Sequence, residues 1–189
     1  MKKILLFIGI LLSNSELFSQ ELSGEELGLL GITLYQKGEL QESVSTFSQA
    51  IEKLNPKLKP TALMVCYSYM GQAKAQLGDN RGAVADLTKS ISYANEITIG
   101  DSIKGGKGQL ATNYRLRGQL KGLLKFSFNE VIVDLNKAVS LDPKNGRNYV
   151  ARGYAKYQNG EKNQGCLDLS KAGELGFSQA YEYIKELCN

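Results

Sequence analysis

The sequence predicts an all-α solenoid: about four helical hairpins stacked in a row, with one further helix closing the C-terminal end. Three observations predict it. Four segments, starting at Leu27, Tyr67, Tyr114 and Tyr149, align with one another. Each carries a mid-helix glycine (Gly31, Gly71, Gly118, Gly153), then a bulky apolar residue 16 or 17 positions later (Phe47, Leu87, Leu135, Leu169). A small residue follows at 19 or 20 positions (Ala50, Ser90, Ala138, Ala172), while the spacing between successive glycines varies over 40, 47 and 35 residues. Fixed internal distances joined by variable connectors are what stacked hairpins require.

Each element follows from that frame. A glycine inside a helix costs about 1 kcal/mol of propensity, so it needs a packing reason. Close approach of the paired helix supplies one, and the later Ala or Ser is small at the same level. Helical pairs are expected over 24–37 and 39–54, 60–77 and 80–96, 108–124 and 129–141, and 146–159 and 163–174, with a lone helix at 178–188. The corresponding repeats run over 24–57, 62–97, 109–144 and 146–177. Gly38, Gly78 and Gly160 stand seven residues after the mid-helix glycine, where a helix end needs a left-handed residue. The third unit lacks that glycine and carries an extra residue around 125–128, so an irregular turn is expected there. Asp142-Pro143 closes the third unit, since proline cannot continue the helix it follows. The last helix has no partner in sequence and should cap the stack. Residues 97–108 form the longest connector.

Composition excludes several functions. The 189 residues contain no histidine. Ser-His-Asp and Cys-His nucleophile systems and His-ligated zinc therefore cannot be built, no cofactor is implied, and an enzyme is disfavoured. The net charge of +4 is mild and scattered, which points away from nucleic acid. In the connector, Gly100-Asp101-Ser102-Ile103 mimics a hydrolase nucleophile block but has no histidine to serve it. Gly105-Gly106-Lys107-Gly108 lacks the leading glycine and the trailing hydroxyl residue of a phosphate loop, because Asp101 and Gly108 stand there.

Residues 1–19 read as a signal peptide, leaving 20–189 as the solenoid domain. Lys2 and Lys3 precede the apolar run Ile4 to Leu12. As a helix that run spans only about 14 Å, too short for a hydrocarbon core of roughly 30 Å. Cleavage after Ser19 or after Ser15, export to the periplasm or beyond, and a mature chain without a membrane span are the expectations. Export permits disulfides. Cys166 and Cys188 flank the last turn at nearly equal distance, so an antiparallel pair would set them opposite each other. They either form a bridge or sit as two buried thiols, and Cys66 is expected in the core. Arg117 and Arg152 lie 17 and 16 residues before Asp134 and Asp168, with Met70 and Asp86 in the same register. These pairs are either cross-hairpin contacts or separate solvated charges.

The segments YRLRGQLK…DLNKAVSLDP and YVARGYAK…DLSKAGELG, and less sharply the first two units, resemble the tetratricopeptide-repeat (TPR) family over roughly residues 24–177. Tyr or Leu stands where that family often has Trp, and Arg117 and Arg152 replace the leucine before glycine. The resemblance implies a right-handed solenoid whose first helices line a concave groove for a protein or peptide partner. The residues it implicates are Tyr35, Gln36, Ser68, Gln72, Gln76, Arg115, Gln119, Tyr154, Tyr157 and Gln158. Some such domains grip a C-terminal carboxylate with lysines and asparagines; Gly28 and Ile32 fill those slots here, which disfavours that ligand. An interaction scaffold in an envelope-associated or secreted complex is thus the first expectation. An obligate subunit of one envelope machine is the second, and an enzyme or an RNA-reading repeat are distant ones.

Overall fold

A computed structural model describes residues 22–97 and 106–188. The expected signal segment, and the connector residues 98–105 with their two look-alike motifs, lie outside the described residues. Among the described residues there are nine α-helices and no strand: α1 (Gly24–Lys37), α2 (Leu40–Lys53), α3 (Pro60–Gln76), α4 (Asn80–Ile97), α5 (Lys107–Leu123), α6 (Phe128–Leu141), α7 (Gly146–Gln158), α8 (Lys162–Glu174) and α9 (Ala180–Leu187).

Local chemistry sets the helix ends. Ser23 and Glu26 form a capping box at the start of α1, each satisfying a backbone N–H of the other. Pro60 stands in the first turn of α3, where no intrahelical donor is missed. Asn145 accepts from the Arg147 N–H at the start of α7. Gly38, Gly78 and Gly160 take φ of 84°, 86° and 89° at the turns within the first, second and fourth hairpins.

The third turn is more regular than expected. Lys125, seven residues after Gly118, adopts φ 62°. It makes the same closing bonds as the glycines, Lys125 N–H to Gly122 O at 3.1 Å and Phe126 N–H to Lys121 O at 3.0 Å. The geometry is kept with a side chain present. The extra residue falls just beyond, and Ser127 then caps α6 by accepting from the Glu130 N–H.

The small residues do what the spacing demands. A Cβ added at Gly31 would stand 2.7 Å from Phe47 Cε1, at Gly71 3.0 Å from Leu87 Cγ, and at Gly118 3.1 Å from Leu135 Cγ. At Gly153 it would meet the Gly165 carbonyl at 2.8 Å. Phe47, Leu87, Leu135 and Leu169 are fully buried against these glycines, each contributing about 1.5–3 kcal/mol of burial energy. Ala50, Ser90, Ala138 and Ala172 are buried beside them.

The core is a series rather than a single centre. Leu27, Phe47, Leu63 and Met70 join the first two hairpins, and Met64, Ile91 and Leu110 link the second and third. Leu87 and Leu120 form a further second–third cluster, while Val131, Leu135, Ala151 and Ala155 join the third and fourth. Neighbour-only packing of this kind defines a solenoid. Cys66 is buried in the first cluster, and burial pushes its thiol up to about 11. At the far end α9 packs antiparallel on α8, and Cys166 and Cys188 are joined as a disulfide with Cα atoms 5.8 Å apart.

Candidate functional site

The first helices of successive hairpins touch one another, α1 with α3, α3 with α5, and α5 with α7, whereas α2, α4, α6 and α8 show no comparable contacts among themselves. The face formed by α1, α3, α5 and α7 is therefore the inner, concave one. On it lies a cleft of about 420 Å³ lined by Tyr35, Gln72, Gln76, Thr112, Arg115 and Arg147, with Asn145, Ala75 and Leu116 completing the wall.

Tyr35 is held upright by an edge-on contact with Tyr69, ring centroids 5.4 Å apart. Its hydroxyl accepts from Gln76 Nε2 at 2.7 Å, and burial raises the phenol above its ordinary value. Gln72 Nε2 donates to the Ser68 carbonyl and hydroxyl, both at 3.2 Å. Arg115 Nη1 donates to Gln119 Oε1 at 2.9 Å, one turn along the same helix. Burial, and then the Arg147 guanidinium, push Arg115 below the usual arginine range.

Of the ten residues expected in the groove, Tyr35, Gln72, Gln76 and Arg115 meet in this cleft, with Gln119 tied to Arg115. Gln36 is exposed but outside the lining. Ser68 is no contact residue. It is fully buried, its hydroxyl donating to Asn113 Oδ1 at 2.7 Å and accepting from Gln109 Nε2 at 2.7 Å. Asn113 Nδ2 in turn donates to Ser90 Oγ, which donates to the Met64 carbonyl. This satisfied network fixes the third hairpin on the second. Tyr154, Tyr157 and Gln158 also lie outside the cleft. Tyr154 is 47% exposed and tilts against Tyr183 of the cap, and Tyr157 carries Lys162 over its ring.

Sequence reasoning missed Thr112, Asn145 and Arg147. Arg147 lies two residues before the aligned Tyr149, in the register of Thr112 before Tyr114, and that equivalence would have found it.

A second set of charges holds the face in shape. Arg117 Nε and Nη2 grip both oxygens of Asp134 at 2.9 and 2.6 Å, and Arg152 grips Asp168 with both distances at 2.7 Å. Each arginine stacks on the tyrosine three residues earlier, Tyr114 or Tyr149, 5.4 Å from the ring centroid. Lys121 and Lys156, one turn further on, add to the same carboxylates at 2.9 and 3.2 Å. In the second hairpin Met70 takes the arginine slot, and Asp86 is met by Lys74 alone at 2.7 Å. Burial there raises the Asp86 carboxyl above its ordinary value despite Lys74. At the N-terminal end, Gly28 and Ile32 help line an apolar hollow of about 460 Å³ with Leu29, Leu58, Val65 and Cys66.

Glycine-spaced hairpins, neighbour-only cores and an inner face built by the first helices define a tetratricopeptide-repeat protein. Known proteins agree with this assignment. Tetratricopeptide repeat protein 36 of Danio rerio is 29% identical over 133 residues, 69% of this chain. The match spans 63% of that relative's own length, under two thirds of it. No protein-family profile matches the chain. Among solved structures, MamA from Desulfovibrio magneticus RS-1 superposes with a TM-score of 0.62 at 22% identity, covering 83% of this chain and 77% of that one. A thermophilic tetratricopeptide-repeat protein of Thermus thermophilus gives 0.51 at 20% identity, over 81% and 74%. At such identities the likeness is one of fold, and it is a fold commonly used as a protein–protein interaction scaffold. No helix among the described residues is long and apolar enough to cross a membrane.

Proposed function

We propose that this chain is an interaction scaffold that takes an extended segment of a protein partner into the cleft between α1, α3, α5 and α7. The observation that carries the reading is the cleft itself. Its wall is polar side chains standing on a rigid helical frame, with Tyr35 clamped by Tyr69 and Gln76. Tyrosine offers flat contact area at low entropic cost, and glutamine amides match the donors and acceptors of a peptide backbone. A wall preorganised in this way spends little on ordering when a ligand arrives.

We place the chain outside the cytoplasm, in an envelope-associated or secreted complex. Lys2, Lys3 and the apolar Ile4 to Leu12 support this reading, and so does the Cys166–Cys188 bond, which persists in oxidising compartments. Two experiments test the proposal. Crosslinked capture from native cells with wild type, a Gln72→Ala/Gln76→Ala variant and an outer-face Lys89→Ala control should lose specific partners only in the cleft variant. Equal recovery from all three rejects the cleft. Intact mass of the native protein should show loss of residues before Gln20 or Glu16; an uncleaved N-terminus rejects the export assignment.

A further inference from the structure

The charge of the cleft is unbalanced. It contains two guanidinium groups, Arg115 and Arg147, and its lining contains no carboxylate. The other half-buried arginines of the inner helices are each matched, Arg117 by Asp134 and Arg152 by Asp168, through the Nε–Nη2 edge. That edge is the two-donor fork that fits the two oxygens of a carboxylate. In Arg115 only Nη1 is occupied, by the neutral Gln119 side chain. Its Nε is enclosed with no hydrogen-bond partner. Burial and the neighbouring Arg147 both disfavour its charge, yet a guanidinium does not shed its proton at neutral pH. An enclosed, unmatched donor on a cation is costly, so a group that matched it would be bound with corresponding preference. Tyr35 adds a donor: its oxygen already accepts from Gln76, leaving the O–H proton for another acceptor.

We propose that Arg115 and Arg147, with the Tyr35 hydroxyl, form a carboxylate-binding site in the cleft that takes an acidic side chain, Asp or Glu, of the partner segment. The inference rests on the cleft being the partner site and adds the chemistry it selects. The Nε–Nη2 edge of Arg115 grips the carboxylate side-on, as the same edge of Arg117 and Arg152 grips Asp134 and Asp168. Arg147, more exposed at the mouth, steers the acid inward. The site lies on α5 and α7, away from the apolar hollow around Gly28 and Ile32 at the first hairpin.

Isothermal titration calorimetry of the purified chain at low ionic strength tests this, with hexa-glutamate and hexa-glutamine peptides as probes, each free and amidated at its C-terminus. Hexa-glutamate should bind saturably, hexa-glutamine about tenfold or more weakly, and amidation should leave the difference intact. Arg115→Gln should weaken hexa-glutamate binding by about tenfold or more. Arg115→Lys, which keeps the charge but not the fork, should lose most of that affinity too. The melting temperature of Arg115→Gln should be unchanged or higher, because an unmatched charge is removed. Equal binding of the two peptides, no binding of either, or unchanged affinity in Arg115→Gln overturns the site. Loss of binding on amidation overturns its assignment to side chains. If Arg115→Gln still captures the native partner while Gln72→Ala/Gln76→Ala does not, the cleft stands and the acid preference falls. If neither variant loses the partner, the reading of the cleft itself fails.

Discussion

Arg152→Ala probes whether the charged clasps hold the inner face or merely decorate it. Arg152 is a bidentate partner of Asp168, reaches Asn136 of the preceding hairpin through Nη1 at 3.1 Å, and covers the Tyr149 ring. The side chains of the pair are 17% and 9% exposed, so the carboxylate cannot turn to water when its partner goes. Removing one member of a buried pair typically costs about 3–5 kcal/mol. Lys156 remains 3.2 Å from Asp168 and keeps part of the charge compensated, so a loss of about 2 kcal/mol is expected. With a urea slope near 2 kcal/mol per molar, the midpoint followed by helical circular dichroism should fall by about 1 M. A double-mutant cycle with Asp168→Ala should return a coupling of at least about 1 kcal/mol. A coupling below about 0.5 kcal/mol, the range of solvated surface pairs, would refute the reasoning.

Three further outcomes follow from the same structure. Lys125→Gly should raise stability by about 0.5–1 kcal/mol, because the left-handed φ of 62° disfavours a side chain; a lower urea midpoint would contradict this. Reduction, or Cys166→Ser/Cys188→Ser, should cost about 3 kcal/mol for a loop spanning a sequence separation of 22 and release α9 first; unchanged protection of the α9 amides in hydrogen exchange would contradict that order. Burial raises the Asp86 carboxyl, so its contribution is fully present below the unfolded value near 3.8 and is lost as pH rises through the folded one. Asp86→Asn should therefore gain stability relative to wild type as pH rises from about 3.5 to 7, read from paired urea midpoints, and a relative loss would reverse the sign.

The fold was legible because its determinants are local and periodic. Gly31, Gly71, Gly118 and Gly153 mark where backbone meets a neighbouring helix, and Phe47, Leu87, Leu135 and Leu169 are the residues they meet. A periodic constraint fixes helix bounds closely: the spacing predicts 39–54 where Leu40–Lys53 is found. The disulfide register was readable for the same reason, since an antiparallel pair about one turn sets which positions face. The cleft was only partly legible. Tyr35, Gln72, Gln76 and Arg115 follow from the inner-helix register, but Ser68 shares that register and is buried. Its cover comes from Asn113, 45 residues away across an irregular connector, which no fixed offset encodes. Arg147 escaped because it precedes the aligned segment. Lys74, Lys121 and Lys156 escaped because the aspartates were matched to the arginine slot alone, not to the residue one turn beyond it.

The most direct test of the scaffold reading places a photo-crosslinking amino acid at Gln76, inside the cleft, and separately at Lys89, exposed on the outer helix α4. After irradiation of living cells, a partner that uses the cleft predicts a discrete adduct at position 76 and none at 89. An adduct at 89 alone would put the partner on the outer face and contradict the claim.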